Sequence, residues 1–155
     1  MQITILGIGN LLLSDEGFGV HVIRHLEASP AVPAGVKLVD GGTAGMYMAQ
    51  VLEECDRLIV VDILAFDSPP GTIYTLSGKE LQGGSLQLRM SPHQLGLLEV
   101  MGLCELRGRS PELVEFIGVV PSDLEVGLEL SGLLASKVET VAKMVENRLS
   151  EWLHA

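Results

Sequence analysis

Apolar residues recur along the chain with two different periods, and the periods take turns. Residues 3–8 (ITILGI) form a short β-branched run closed by Gly9-Asn10, which predicts a buried strand. From about residue 15 to residue 27 the spacing of Val22, Ile23 and Leu26 predicts a helix, with Ser14 placed to cap it and Pro30 beyond its end. A second short strand is predicted over 36–39, broken by Gly41 and Gly42, and Thr43 opens a helix toward Glu54. Residues 57–64 (RLIVVDIL) are apolar on both faces, as in a central parallel strand. Residues 72–76 (TIYTL) read as an edge or hairpin strand, and Gly83-Gly84 as a loop. Pro92 suits the first turn of a helix running to about Leu103. Residues 114–120 form another strand, stopped by Pro121. Leu134, Val138, Val141, Val145 and Leu149 follow at three- and four-residue steps, one face of a long helix ending near Trp152.

Strands alternating with helices predict an α/β protein: a three-layer sandwich with a mostly parallel central sheet and helices on both faces, one domain over 1–155. Such sheets place their sites in the crevice at the carboxyl ends of the strands. That rule converts strand ends into candidates. The loop after the first strand carries Gly7, Gly9 and then Asp15-Glu16; the second strand ends near Asp40; the third ends at Asp62. Acidic positions from three separate segments are thereby expected on one rim.

Composition narrows the chemistry. Hydrophobic residues make up 47% of the chain, enough for a real core, and the formal net charge is −10. A charge of that sign disfavours nucleic acid and anionic membranes as partners, because phosphate contacts need clustered Lys and Arg. The acids are dispersed, so they form a solvated surface and not a tail. Cys55 and Cys104 make neither a CxxC pair nor a zinc spacing. No basic leader or cleavage site opens the sequence, so a reducing cytoplasm is expected, with both thiols free and buried.

The Gly7-Ile8-Gly9-Asn10 turn resembles the start of a dinucleotide fingerprint, but Leu12 stands where a third glycine belongs, and acids follow where a phosphate would be repelled. Its glycines are read as permitting a tight turn. Glu16 has an ordinary explanation as a first-turn acid facing the helix macrodipole, as has Asp15. Asp40 can form an Asx turn with Gly42 or Thr43. Asp62 follows the apolar run 58–61, where a bare carboxylate is costly without a partner or a metal. His21 and His25 lie one turn apart without an HExxH pattern and read as surface or packing residues; His154 is in the tail. His93, in Ser91-Pro92-His93-Gln94, sits at a loop-to-helix junction from which it can reach the rim. Two carboxylates and an imidazole with open positions suit nickel, zinc or a similar ion. No Gly-x-Ser-x-Gly elbow is present, which disfavours a serine nucleophile.

Taken together, GIGNLLLSDEGFGV at 7–20, DGGTAG at 40–45, VVDIL at 60–64 and SPHQLGLLEVM at 91–101 resemble the hydrogenase maturation protease family over nearly the whole chain. The resemblance implies an endopeptidase that removes a C-terminal extension from a nickel-loaded hydrogenase large-subunit precursor. It implies that Glu16, Asp62 and His93 engage the nickel, an ion carried by the substrate and replaceable by other divalent ions. It also makes Asp40 a functional, catalytic candidate. Two other classes remain open on the residues alone: a non-catalytic nickel-binding assembly factor, or a different metal-dependent hydrolase.

Overall fold

The structure, a computed structural model, describes residues 1–42, 48–82 and 91–155. In chain order the elements are β1 (Ile3–Ile8), a 3-10 turn (Ser14–Gly17), α1 (Phe18–Glu27), β2 (Lys37–Gly42), α2 (Met48–Glu53), β3 (Arg57–Ile63), β4 (Ile73–Ser77), α3 (Gly78–Leu81), α4 (Pro92–Leu106), β5 (Leu113–Val119) and α5 (Gly132–His154). The five strands form one sheet in the order β2-β1-β3-β5-β4. Neighbours pair in parallel except β4, which runs antiparallel along β5 as an edge. This is the α/β sandwich that the alternating periods predict.

The strand period sorts the core into two layers. Ile3, Ile5, Ile59, Val61, Ile63, Ile117 and Val119 pack with α1 and α5 through Phe18, Val22, Leu26, Val141, Val145 and Trp152. Leu6, Ile8, Leu58, Val60 and Phe116 pack on the other face with Met48, Leu52, Leu97, Val100 and Met101 of α2 and α4. Both cysteines are free and buried in the second layer. No helix among the described residues is long and apolar enough to cross a membrane.

Four local expectations need correction or completion. Ser14 does not cap α1: its φ is +51°, its hydroxyl donates to the Glu125 carbonyl (2.7 Å), and a 3-10 turn precedes the helix proper. Gly41 and Gly42 do not break β2, which continues through both because Ile8 and Gly9 still pair with Gly42. Helix α4 runs three residues past Leu103, ending at Leu106. The short α3 was not foreseen; a capping box between Ser77 and Glu80 starts it. The expected helix opening at Thr43 and the Gly83-Gly84 loop lie outside the described residues.

Helix α1 lies so close to β1 and β3 that a Cβ on Gly19 would sit 2.2 Å from the Val61 carbonyl oxygen and 2.5 Å from that of Ile8. Backbone atoms cannot yield as side chains do. Gly19→Ala is expected to destabilise the protein by about 1–3 kcal/mol, the usual cost of overpacking, measured as a lowered midpoint in urea with unchanged slope.

Candidate active site

Three of the predicted site residues converge at the carboxyl rim of the sheet. Asp62 is the penultimate residue of β3 and is paired in register with Gly118. Strand parity directs its side chain to the α4 face, where it is wholly buried. Its Oδ1 accepts from the Ile63 backbone N–H (2.7 Å). Its Oδ2 lies 2.9 Å from His93 Nε2 and accepts from Gln94 Nε2 at 2.9 Å. The opposite nitrogen of the ring, His93 Nδ1, lies 3.4 Å from Glu16 Oε1. One imidazole thus bridges a carboxylate from the β3 end and a carboxylate from the 3-10 turn.

Local sequence explains why each group is there. His93 stands in the first turn of α4, whose start is set by Pro92 and by a reciprocal box: Ser91 N–H donates to Gln94 Oε1 (2.9 Å) and Gln94 N–H to Ser91 Oγ (3.4 Å). Ser91 Oγ also lies 3.2 Å from His93 Nε2. Gln94 is itself buried, and its Nε2 reaches both Asp62 and the Ile63 carbonyl oxygen (2.5 Å). It therefore caps the helix with one end of its amide and holds Asp62 with the other. Glu16 is placed by Gly9: with φ at +139°, Gly9 passes so near the 3-10 turn that a Cβ there would lie 1.8 Å from the Glu16 carbonyl oxygen. The reading of these glycines as turn formers holds at this position.

Asp15 makes a different kind of contact. Fully buried, it accepts four hydrogen bonds, from the N–H groups of Ser122, Asp123 and Ser131 and from the Ser131 hydroxyl, at 2.7–2.9 Å. It ties the turn bearing Glu16 to the segment after β5. Neither Gln94 nor Asp15 was singled out for such a role by sequence reasoning; only the Ser-x-x-Gln spacing at 91–94 signals the first. Asp40 is exposed at the end of β2, and its Oδ1 accepts from the Gly42 N–H (3.1 Å), the expected Asx turn. Among the described contacts it has no hydrogen bond or ion pair with Glu16, Asp62 or His93. His21 and His25 lie on α1 along a cleft of about 580 Å³ with Leu130 and Val138, apart from the site.

The electrostatics follow from burial and pairing. Burial alone lowers the His93 pKa, but the hydrogen bond and charge of Asp62, with the charge of Glu16, outweigh it and leave the group above its ordinary value. Burial pushes the Asp62 carboxyl up, only partly opposed by His93, Ile63 and Gln94. Both directions mean that the pair retains a proton more tightly than either group does in water. The same three groups, as they stand, form a chain and not a cage: no set of three metal-capable side chains is grouped around one point among the described residues.

With this geometry in hand, comparison with known proteins is decisive. A profile of the hydrogenase maturation protease family matches residues 20–148. The hydrogenase 2 maturation protease of Escherichia coli is 35% identical over 152 residues, covering 97% of this chain and 92% of that protein. The hydrogenase expression/formation protein HupD of Rhodobacter capsulatus is 36% identical, covering 97% and 72%.

This chain belongs to the hydrogenase maturation protease family.

The fold agrees. The solved hydrogenase maturating endopeptidase HybD from E. coli superposes with a TM-score of 0.90 at 35% identity, over 97% of this chain and 93% of that one. The family is one of peptidases that act in hydrogenase maturation. Its profile spans Asp40, Asp62 and His93, whereas Glu16 falls just before the matched residues.

Two outcomes are expected. His93 is raised, so its pairing contributes stability that is fully present below the ordinary histidine value of about 6.5 and is lost as pH rises through the raised value. The difference in unfolding free energy between the parent and His93→Gln, measured in urea from about pH 5 to pH 9, should shrink with rising pH. Gln94→Leu, which removes both the cap and the clamp, should destabilise by about 2–4 kcal/mol. Thermal melts and urea titrations provide the check.

Proposed function

We propose that this chain is the endopeptidase that removes the C-terminal extension of a nickel-loaded hydrogenase large-subunit precursor, and that Glu16, Asp62 and His93 engage the nickel which the substrate carries. The observation that supports this most is the carboxylate–imidazole–carboxylate chain at the sheet rim, built on a carboxylate wholly withdrawn from water. Oxygen and nitrogen donors of this kind suit nickel, and other divalent ions of similar preference.

In the resting arrangement both ring nitrogens of His93 face carboxylates, so each is a place for a proton. To offer a lone pair to the substrate's metal, His93 must give up one of those protons and part from one partner. Glu16, with 18% of its side chain accessible, is the partner free to move; Asp62 is locked by Ile63 and Gln94. On this reading Asp62 and Gln94 supply the fixed side of the site and Glu16 the adjustable side. A precursor without nickel lacks the ion that draws Glu16 and His93 apart, and is passed over. Asp40, exposed at the end of β2, remains a catalytic candidate on this reading.

The test is incubation with precursor prepared with and without nickel, followed by mass spectrometry of the large subunit. Shortening of the nickel-loaded form alone is expected. Binding without shortening would make the chain an assembly factor, and indifference to both precursors would make it another hydrolase. Asp62→Asn keeps the shape and removes the anion. It should retain a cooperative melt, with a loss of about 1–3 kcal/mol, while processing falls by about 100-fold.

A further inference from the structure

Beside the site lies a surface that its chemistry does not use. The segment between β5 and α5 exposes Leu124 (44%), Val126 (88%) and Leu128 (69%), and the loop after β1 exposes Leu12 (61%) next to them. These residues are adjacent because the two loops are bonded together. Gly127 N–H donates to the Leu12 carbonyl (2.9 Å), and Ser14 N–H donates to the Gly127 carbonyl (2.8 Å). Large apolar groups gathered at a surface usually mark a contact site.

The backbone beneath them is held with unusual effort. Asp15 commits a buried carboxylate and four hydrogen bonds to this segment. Ser14 adopts a positive φ and donates its hydroxyl to the Glu125 carbonyl. Nothing in the sheet requires leucine and valine to be fixed in water at this position. The fixed strip does adjoin the site: Glu16 N–H bonds the Leu13 carbonyl (3.1 Å), within one turn of Leu12.

The acids around it indicate the occupant. Asp123, Glu125 and Glu129 stand among the apolar residues and all three are exposed; Asp123 Oδ1 accepts from the Glu125 N–H (2.9 Å), Glu129 and Leu128 share the cleft of His21 and His25, and none of the three acids has an ion pair among the described residues. An apolar strip edged by carboxylates that lack a cationic partner among the described residues complements an apolar segment edged by Lys or Arg. We infer that Leu12, Leu124, Val126 and Leu128 form a docking strip for the large-subunit precursor, which they engage through an apolar segment bordered by basic side chains. The inference rests on the proposed function for the identity of the partner; the surface itself is read from geometry.

Two variants test it: Val126→Ser with Leu128→Ser, and Glu125→Lys with Glu129→Lys. All four side chains are exposed, so both proteins should fold, which circular dichroism verifies. With nickel-loaded precursor, KM should rise about tenfold or more in each while kcat stays within about twofold. Binding of the precursor to the parent should weaken with added salt, and less so for the charge-reversed variant. Calorimetric titration of the precursor, cleaved or not, reads the strip independently. If the parent binds precursor without cutting it and the variants bind about tenfold more weakly, the protease reading fails and the strip stands. Unchanged binding and KM in both variants would overturn the strip, as would a fall in kcat at constant KM. A parent dimer in sedimentation that the serine variant dissociates would assign the strip to self-association and also overturn the proposal.

Discussion

A carboxylate without solvent contact at the end of an apolar strand has to be compensated entirely by its neighbours, and most of the site follows from that demand on Asp62. Both of its oxygens are engaged, one by the adjacent backbone and the other by two side chains from a single helical turn. This requires α4 to be capped at Ser91, with its first turn facing the β3 end. It requires a glutamine at the third helical position, because a shorter amide would not span from the cap to the carboxylate. His93 is carried into contact by the same turn, and the ring's far side is then left facing Glu16. The catalytic candidates are consequently not three independent placements. One buried charge recruits a helix start, and the helix start brings the imidazole.

Asp15 and Asp62 show two opposite uses of a fully buried acid. Asp15 faces backbone N–H groups and one hydroxyl, all neutral donors, and serves as a fixed tie between two loops. Asp62 faces an imidazole that can gain or lose a proton, and its burial makes the pair reluctant to release one. Equal exposure therefore says nothing of role; the titratable partner distinguishes them. Neighbours in sequence differ as sharply. Asp15 points inward and Glu16 toward the rim, although both are acids of the same short turn.

Much of this was legible in the residues, and the remainder was not for definite reasons. Strands β1, β3 and β5 were readable because apolar residues dominate both of their faces, despite the interruptions at Thr4 and Glu115. The meeting of Asp62 and His93 was legible because a carboxylate ending an apolar run needs a partner, and a histidine at a loop-to-helix junction can reach the rim. The partition between Asp15 and Glu16 was hidden: it depends on donors more than 100 residues away at Ser122, Asp123 and Ser131. Ser14 misled because a serine before a helical pattern normally caps it, whereas here a carbonyl at Glu125 takes its hydroxyl. The continuation of β2 through Gly41 and Gly42 was masked by glycine's low strand propensity, which pairing with Ile8 and Gly9 overrides.

Those long-range ties bear on when the protein becomes competent as it leaves the ribosome. Strand β3, between β1 and β5, has only one neighbour until residues 113–119 have emerged. The turn that holds Glu16 stays untethered until Asp15 meets residues 122–131. A nascent chain carrying every one of Glu16, Asp62 and His93 is therefore still unfinished at residue 112. The rim that gathers these side chains is therefore assembled only after residues 113–131 are made, and a chain ending before them lacks both the second neighbour of β3 and the tie on the Glu16 turn.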